Sequence, residues 1–141
     1  MAASKERKMI TIGRHVRVSF PDLGFRHVDA KVDTGAFRTV IHCERCEEVQ
    51  TSEGTVLEAD FKLEDNEVKR VYFKEYFSRE FKSSFGEKEK RFCVKTTIQI
   101  GKKKIKSSVS LTDRSDMKFQ VLIGRKTLLR KFVVDVSKKF A

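Results

Sequence analysis

The sequence predicts a small all-β domain, a barrel or sandwich closed by one short helix. Three observations carry this: period-2 alternation in its apolar runs, glycine-bearing turns between them, and one helical stretch late in the chain. Alternation first appears in Met9-Ile10-Thr11-Ile12 and His15-Val16-Arg17-Val18-Ser19-Phe20, the pattern of a half-buried strand over residues 9–20 with a bend at Gly13. The single proline opens Pro21-Asp22-Leu23-Gly24, a turn, after which residues 25–32 resume a β run. Alternation returns over 39–41, 56–63, 68–77, 92–100 and 105–111. Gly101-Lys102-Lys103 separates the last two runs as a hairpin turn, and Ser83-Ser84-Phe85-Gly86 reads as another. A helix over 125–131 follows Gly124, and Phe132-Val133-Val134 begins a closing strand.

At 141 residues the chain suits one domain, read as a flexible tail over residues 1–8 and a single folded unit over 9–141. Lys and Arg number 31 against 20 Asp and Glu, a net charge of +11 that calls for an anionic partner. With 39% hydrophobic and 36% charged residues, the chain is too apolar to be disordered and keeps a heavily charged surface. No apolar run approaches the roughly 18 to 20 residues of a membrane helix, and the first eight residues lack the apolar stretch of a signal peptide. Three cysteines are too few for a disulfide framework, so the expected setting is cytoplasmic, with no membrane partner.

Val32-Asp33-Thr34-Gly35-Ala36 places a carboxylate on a stiff loop delivered by an apolar strand. Acid proteases need two such carboxylates, about 3 Å apart and sharing one proton, to activate water against a peptide carbonyl. Gly35 allows close backbone approach, and the Thr34 hydroxyl can bond across to a matching loop. The tripeptide alone equally fits an ordinary turn with a capping Asp. A second segment, Gln120-Val121-Leu122-Ile123-Gly124-Arg125, runs from apolar strand through Gly-Arg into the short helix.

Together these segments resemble the retropepsin family of single-domain aspartic proteases. Lys82-Ser83-Ser84-Phe85-Gly86-Glu87, Leu111-Thr112-Asp113-Arg114-Ser115-Asp116-Met117 and Leu122-Ile123-Gly124-Arg125 are similar to its bacterial branch, known as ATP-dependent zinc proteases, over residues 13–140. The resemblance implies an all-β, retropepsin-like closed barrel, active as a homodimer with Asp33 from each subunit as the catalytic pair. Thr34 and Gly35 brace the loops, and residues 132–136 contribute to a subunit interface. That branch is associated with ATP-grasp ligases that add glutamate to a ribosomal protein. The implied activity is therefore cleavage of acidic, glutamate-rich peptide tails, with a functional link to such a ligase.

Departures from the family pattern shape the remaining expectations. Ala36 stands where many cellular aspartic proteases place Ser, which favours a higher working pH. Phe37-Arg38 replaces the acidic residues that viral members set after the motif, so Arg125 needs another partner. Asp113 or Asp116, flanking Arg114, is expected to supply it; the alternative makes one of them an intrachain second carboxylate. Ser83, Ser84 and Gly86 form either the tip of a substrate-covering flap or a surface hairpin. For an acidic substrate, Lys88 to Arg91 and Lys102, Lys103, Lys104 and Lys106 are candidate contacts.

His42-Cys43-Glu44-Arg45-Cys46 carries a CxxC, yet only Cys93, with His15 and His27, remains to complete a zinc site. No HExxH motif and no Gly-rich phosphate loop occurs, so no cofactor is expected. Cys43 and Cys93 read equally as small core residues, and His42 as a local structural residue. The competing function is a non-enzymatic basic β-barrel binding RNA or an acidic protein, with strands such as Arg70-Val71-Tyr72-Phe73-Lys74 offering stacking surfaces.

Overall fold

Alternation places one face of each early strand inward. In β2 (His15–Phe20), Val16, Val18 and Phe20 are buried, and in β3 (Phe25–Val32), Phe25, Val28, Ala30 and Val32 are. A 3-10 turn at Pro21–Leu23 joins them, closed by Gly24 in the left-handed region. A computed structural model describes residues 8–63, 67–82 and 85–140, so most of the expected tail lies outside the described residues. The strand anticipated over 9–20 is two strands in different sheets. β1 (Ile10–Ile12) ends before Gly13, where a Cβ would stand 2.7 Å from the Lys138 carbonyl oxygen. Only a residue without a side chain lets the two backbones pass so closely.

The core is a closed six-strand barrel. Going round, β10 (Lys103–Thr112), β4 (Thr39–His42), β11 (Val121–Ile123), β3, β2 and β9 (Lys88–Ile100) are successive neighbours, and β9 pairs with β10 to close the ring. β9 and β10 form a long antiparallel hairpin from Phe92↔Leu111 to Ile100↔Lys103 around the Gly101 turn. β8 (Phe77–Lys82) extends the sheet from the first half of β9. β11 lies between β3 and β4, parallel to β3 through Ile123↔Val32 and antiparallel to β4 through Leu122↔Val40. β12 (Phe132–Val134) pairs in parallel with β1 of the same chain, so the segment expected at a subunit interface has an internal partner through Val134. The helix α1, Arg125–Leu128, is shorter than expected. Leu129 leaves helical geometry with ψ 123, and Arg130 takes φ 64.

β5 (Arg45–Thr51), β6 (Gly54–Lys62) and β7 (Val68–Phe73) make a separate three-stranded antiparallel sheet. β5 escaped the pattern analysis because it is a largely exposed edge strand carrying charges. The run expected over 68–77 divides into β7 and β8, which belong to different sheets. β6 is buried along most of its length, and fully buried Phe61 makes edge-on contacts with Phe25 and Phe73 at 6.3 Å, packing this sheet onto the barrel. Among the described residues no helix is long and apolar enough to cross a membrane.

This sheet also holds an ion network. Arg45 donates to Glu58 at 2.5 Å and pairs with Glu47, while Arg70 donates to Asp60 at 2.7 and 3.1 Å. Arg45 holds Glu58, and Arg70 holds Asp60, below the ordinary carboxylate range, against the opposing effect of burial. A carboxyl depressed in the folded state stabilises it above its unfolded pKa, near 4, and that contribution fades as pH falls below this value. Urea titrations between about pH 5 and pH 3 should therefore show stability falling with acid, and Asp60→Asn should flatten that fall; parallel pH profiles would refute the assignment. Phe61→Ala should cost about 3–5 kcal/mol in the same assay, whereas Val136→Ala, at a site 73% exposed, should stay within about 0.5 kcal/mol.

Candidate active site

Asp33 leaves β3 at the point where β11 ends beside it. Its N–H donates to the Ile123 carbonyl at 2.9 Å, so the loop starts as an extension of the parallel pairing. The Gly35 N–H then donates to Asp33 Oδ1 at 3.0 Å, and the Ala36 N–H to the Asp33 carbonyl at 3.2 Å. A Cβ on Gly35 would lie 3.1 Å from Oδ1, so the turn is shaped around the carboxylate. Asp33 is half-buried, with Thr34 and Gly35 exposed at the loop tip. One carboxylate oxygen is thus fixed by the loop, and no partner for the other is seen among the described residues.

The Gly124-Arg125 turn supports this loop from below. The Arg125 N–H donates to the Ala36 carbonyl at 2.8 Å, the Lys126 N–H to the Phe37 carbonyl at 2.9 Å, and the Arg125 guanidinium to the Thr34 carbonyl at 2.8 Å. Arg125 therefore finds a backbone carbonyl of the acid loop itself, and the expected pairing with Asp113 or Asp116 does not form. Gly124 sits where a Cβ would meet Arg38 C and O at 2.5 Å. Its N–H donates to Thr39 Oγ1 at 3.1 Å, starting a buried hydroxyl chain through Thr127 at 2.7 Å to Ser107 at 3.2 Å. Thr39, Thr127 and Ser107 come from β4, α1 and β10, and no local pattern marks them.

Asp113 belongs to another constellation. Its Oδ1 accepts from the Ser115 hydroxyl at 2.6 Å and the Ser115 N–H at 2.9 Å, which together hold it below the usual range. It faces Nδ1 of buried His42 at 3.6 Å, while Glu44 lies 3.5 Å from Nε2. No contact joins Asp113 to Asp33 among the described residues, and Asp116 is exposed in the same loop.

His42, Glu44 and Asp113 cluster closely enough to suggest a cation site, but the ring chemistry does not fit one. Nδ1 accepts the Arg114 N–H at 2.8 Å, so in the neutral ring the proton sits on Nε2, facing Glu44. Neither nitrogen then has a lone pair to offer a metal. The interaction between the Cys43 and Cys46 thiols lowers the first and raises the second, and the Cys43 thiol donates to the Arg45 carbonyl at 3.1 Å. Cys93 is buried in β9 of the barrel. Among the described residues no cluster of three candidate metal ligands includes a cysteine, His15 or His27, and His42 orders the loop of Arg114.

Arg114 lies within the field of Asp33, which opposes the downward effect of burial and of Arg91 on its guanidinium. Arg91 is on the β8–β9 hairpin, and the Thr112 hydroxyl reaches Glu89 of the same hairpin at 3.4 Å. This hairpin is therefore anchored beside the Asp33 end of the barrel. Its turn includes Gly86, at φ 83, while the expected flap residues Ser83 and Ser84 lie outside the described residues. Lys88 to Arg91 are on this hairpin; Lys102, Lys103 and Lys104 are at the other end of β9, around Gly101.

A closed β-barrel presenting an Asp-Thr-Gly loop over a Gly-Arg turn defines the acid-protease fold. Residues 11–141 match the RimB-like family, described as the retropepsin-like aspartic endopeptidase RimB, and the chain belongs to that family. Among curated proteins, it is 29% identical over 144 residues to a probable alpha-L-glutamate ligase of Shewanella pealeana and 31% identical to that of Shewanella halifaxensis, covering 92% of this chain each time. The matched region spans 29% of the length of either ligase. A crystal structure of a Legionella pneumophila protein of unknown function superposes with a TM-score of 0.71 at 21% identity, covering 95% of this chain and 98% of that one, a likeness of fold.

Gly124→Ala should destabilise the protein by about 1–3 kcal/mol in chemical denaturation, because the added methyl must displace the Arg38 backbone. An unchanged denaturation midpoint would show that the turn accommodates a side chain.

Proposed function

We propose that the chain is an aspartic peptidase of retropepsin type, assembled as a homodimer in which Asp33 of each copy supplies one of two reacting carboxylates. The observation that carries this is the Asp33 loop: one carboxylate oxygen is fixed by Gly35, the backbone is tied to Ile123, and the tip is exposed for a matching loop. Asp-Thr-Gly occurs once in the chain, so a second copy must bring the second carboxylate. Two carboxyls about 3 Å apart share one proton. The ionised one takes a proton from water as that water attacks the peptide carbonyl, while the protonated one hydrogen-bonds to the carbonyl oxygen and stabilises its growing charge. Thr34 and Gly35 brace the paired loops, Gly124 and Arg125 hold each loop from within its own subunit, and the β8–β9 hairpin is the candidate cover.

The substrate class is an acidic peptide, specifically a glutamate-rich tail. Support comes from the net charge of +11 and from relatives named as glutamate ligases, whose chains contain a region similar to this one. A ligase that extends a glutamate tail and a peptidase that trims it would act on the same cytoplasmic substrate.

Mass spectrometry of a synthetic peptide with an oligoglutamate tail, incubated with wild type and Asp33→Asn from mildly acidic to neutral pH, tests this reading. Glutamate-spaced products are expected from wild type, with Asp33→Asn slower by at least about a hundredfold, since it keeps the shape and loses the titrating group. An intact peptide with folded, dimeric wild type overturns it and turns attention to RNA binding.

A further inference from the structure

Ser108, in β10, is 4% exposed, yet its hydroxyl oxygen meets two cations. Lys126 Nζ donates to it at 2.7 Å and Arg38 Nε at 3.3 Å. Both lone pairs of the hydroxyl are then occupied, leaving its hydrogen to donate, and no acceptor for that hydrogen is seen among the described residues. Neither cation has a carboxylate partner among them. The Arg38 guanidinium also lies over the rings of Phe37 and Phe77, at 5.4 and 5.5 Å, and no hydrogen bond to its terminal nitrogens is seen among the described residues. Two positive heads converging on one neutral hydroxyl repel each other, and an anion placed between them would remove that repulsion.

The surroundings have the right shape and sign. A cleft of about 240 Å³ opens at Ser108, walled by Tyr76, Phe77 and Cys93. Its two charged lining residues, Glu75 and Lys95, have opposite signs. Beyond the lining, Arg38, Arg79, Arg91 and Lys126 all pull down on the Cys93 thiol, which burial raises, so four cations project their field into this cleft. Arg91 Nε is buried without a hydrogen-bond partner. Backbone bonds fix the position of the site relative to Asp33, because the Lys126 N–H is bonded to Phe37 and Gly124 packs on the Arg38 backbone.

We propose that Arg38, Lys126 and Ser108 form a carboxylate-docking subsite that seats one acidic group of the peptide brought to Asp33. The guanidinium supplies a planar fork, the ammonium a point charge and the serine a short neutral donor, a set matched to a carboxylate. The subsite rests on reading Asp33 as the reacting carboxylate, and it makes acidic preference a property of three named side chains rather than of overall charge. The seated group is either a glutamyl side chain or the terminal carboxylate of the tail.

Fluorescence anisotropy with a labelled peptide ending in four glutamates, on the Asp33→Asn protein so that nothing is turned over, tests the subsite apart from cleavage. Arg38→Met and Lys126→Met should each weaken binding by about tenfold or more. Arg26→Met, which removes an exposed charge at the end of β3 opposite Asp33, should change it by less than about twofold, the modest effect of a surface charge. Circular dichroism confirms folding, and exposed Lys126 gives a variant whose loss leaves the core untouched. Two further peptides identify the seated group. If glutamine replacement abolishes the sensitivity to Arg38→Met, a side chain is seated; if a C-terminal amide does so, the tail terminus is.

Equal binding by the parent, Arg38→Met and Lys126→Met overturns the subsite, as does no binding by the parent. Asp33-dependent cleavage that ignores Arg38 and Lys126 sinks the subsite and leaves the peptidase reading intact. Binding that depends on both cations, without cleavage by wild type, does the reverse.

Discussion

The insertion of β11 between β3 and β4 is the constraint on which the site depends. Because β11 runs parallel to β3 with Ile123 opposite Val32, the two strands finish at the same level and deliver Asp33 and Gly124 side by side. An antiparallel partner would have placed its own beginning there instead. The acid loop thus obtains its hydrogen bonds from a strand end, a turn and a helix start that share its height in the barrel: Ile123 to the Asp33 N–H, Arg125 to the Ala36 and Thr34 carbonyls, Lys126 to the Phe37 carbonyl. Gly124 is the tightest point of this arrangement, since its missing side chain is where the Arg38 backbone passes.

Charge is distributed unevenly over this frame. On the three-stranded sheet, acidic and basic groups neutralise each other: Arg45 and Arg70 share Glu58 and Asp60. Beside the acid loop, Arg91 pairs with Glu89, but four further cations face neutral partners. Arg125 meets a carbonyl, Arg38 and Lys126 a hydroxyl, Arg114 the Phe119 carbonyl, and Arg38 two aromatic rings. Part of the excess positive charge therefore sits where neutral groups position it without cancelling it, which strengthens the local field on an incoming anion.

Much of the fold was legible because alternation reports burial directly. β3 was bounded correctly from its pattern, and the β9–β10 hairpin was visible in two alternating runs around Gly101. β5 was not, because an exposed, charged edge strand has no apolar face to reveal it. The break at Gly13 was underestimated, since its cause is a close approach to residues 138–140 that no local pattern encodes. At the site, Asp33 and Gly124-Arg125 were found through motifs, whereas the partner of Arg125 was assigned to a side chain when a backbone carbonyl serves. Ser108 and Lys126 carried no signal, as Arg38 lies 70 residues before Ser108 and Lys126 lies 18 after it, on elements joined only by the barrel.

The threading of β11 also makes the acid loop depend on contacts distant in sequence. The β2–β3 hairpin and the β9–β10 hairpin are local in sequence, but the contact between Arg125 and Thr34 spans 91 residues. A contact of such separation pays a loop-closure cost that the local hairpins do not. A chain that has formed its early hairpin still lacks the carbonyl that fixes the Asp33 N–H, the guanidinium that holds Thr34 and the backbone that abuts Arg38. The acid loop has its full set of bonds only when β11 and the Gly124-Arg125 turn are in place, so a chain lacking them contains Asp33 without containing the arrangement that orients it.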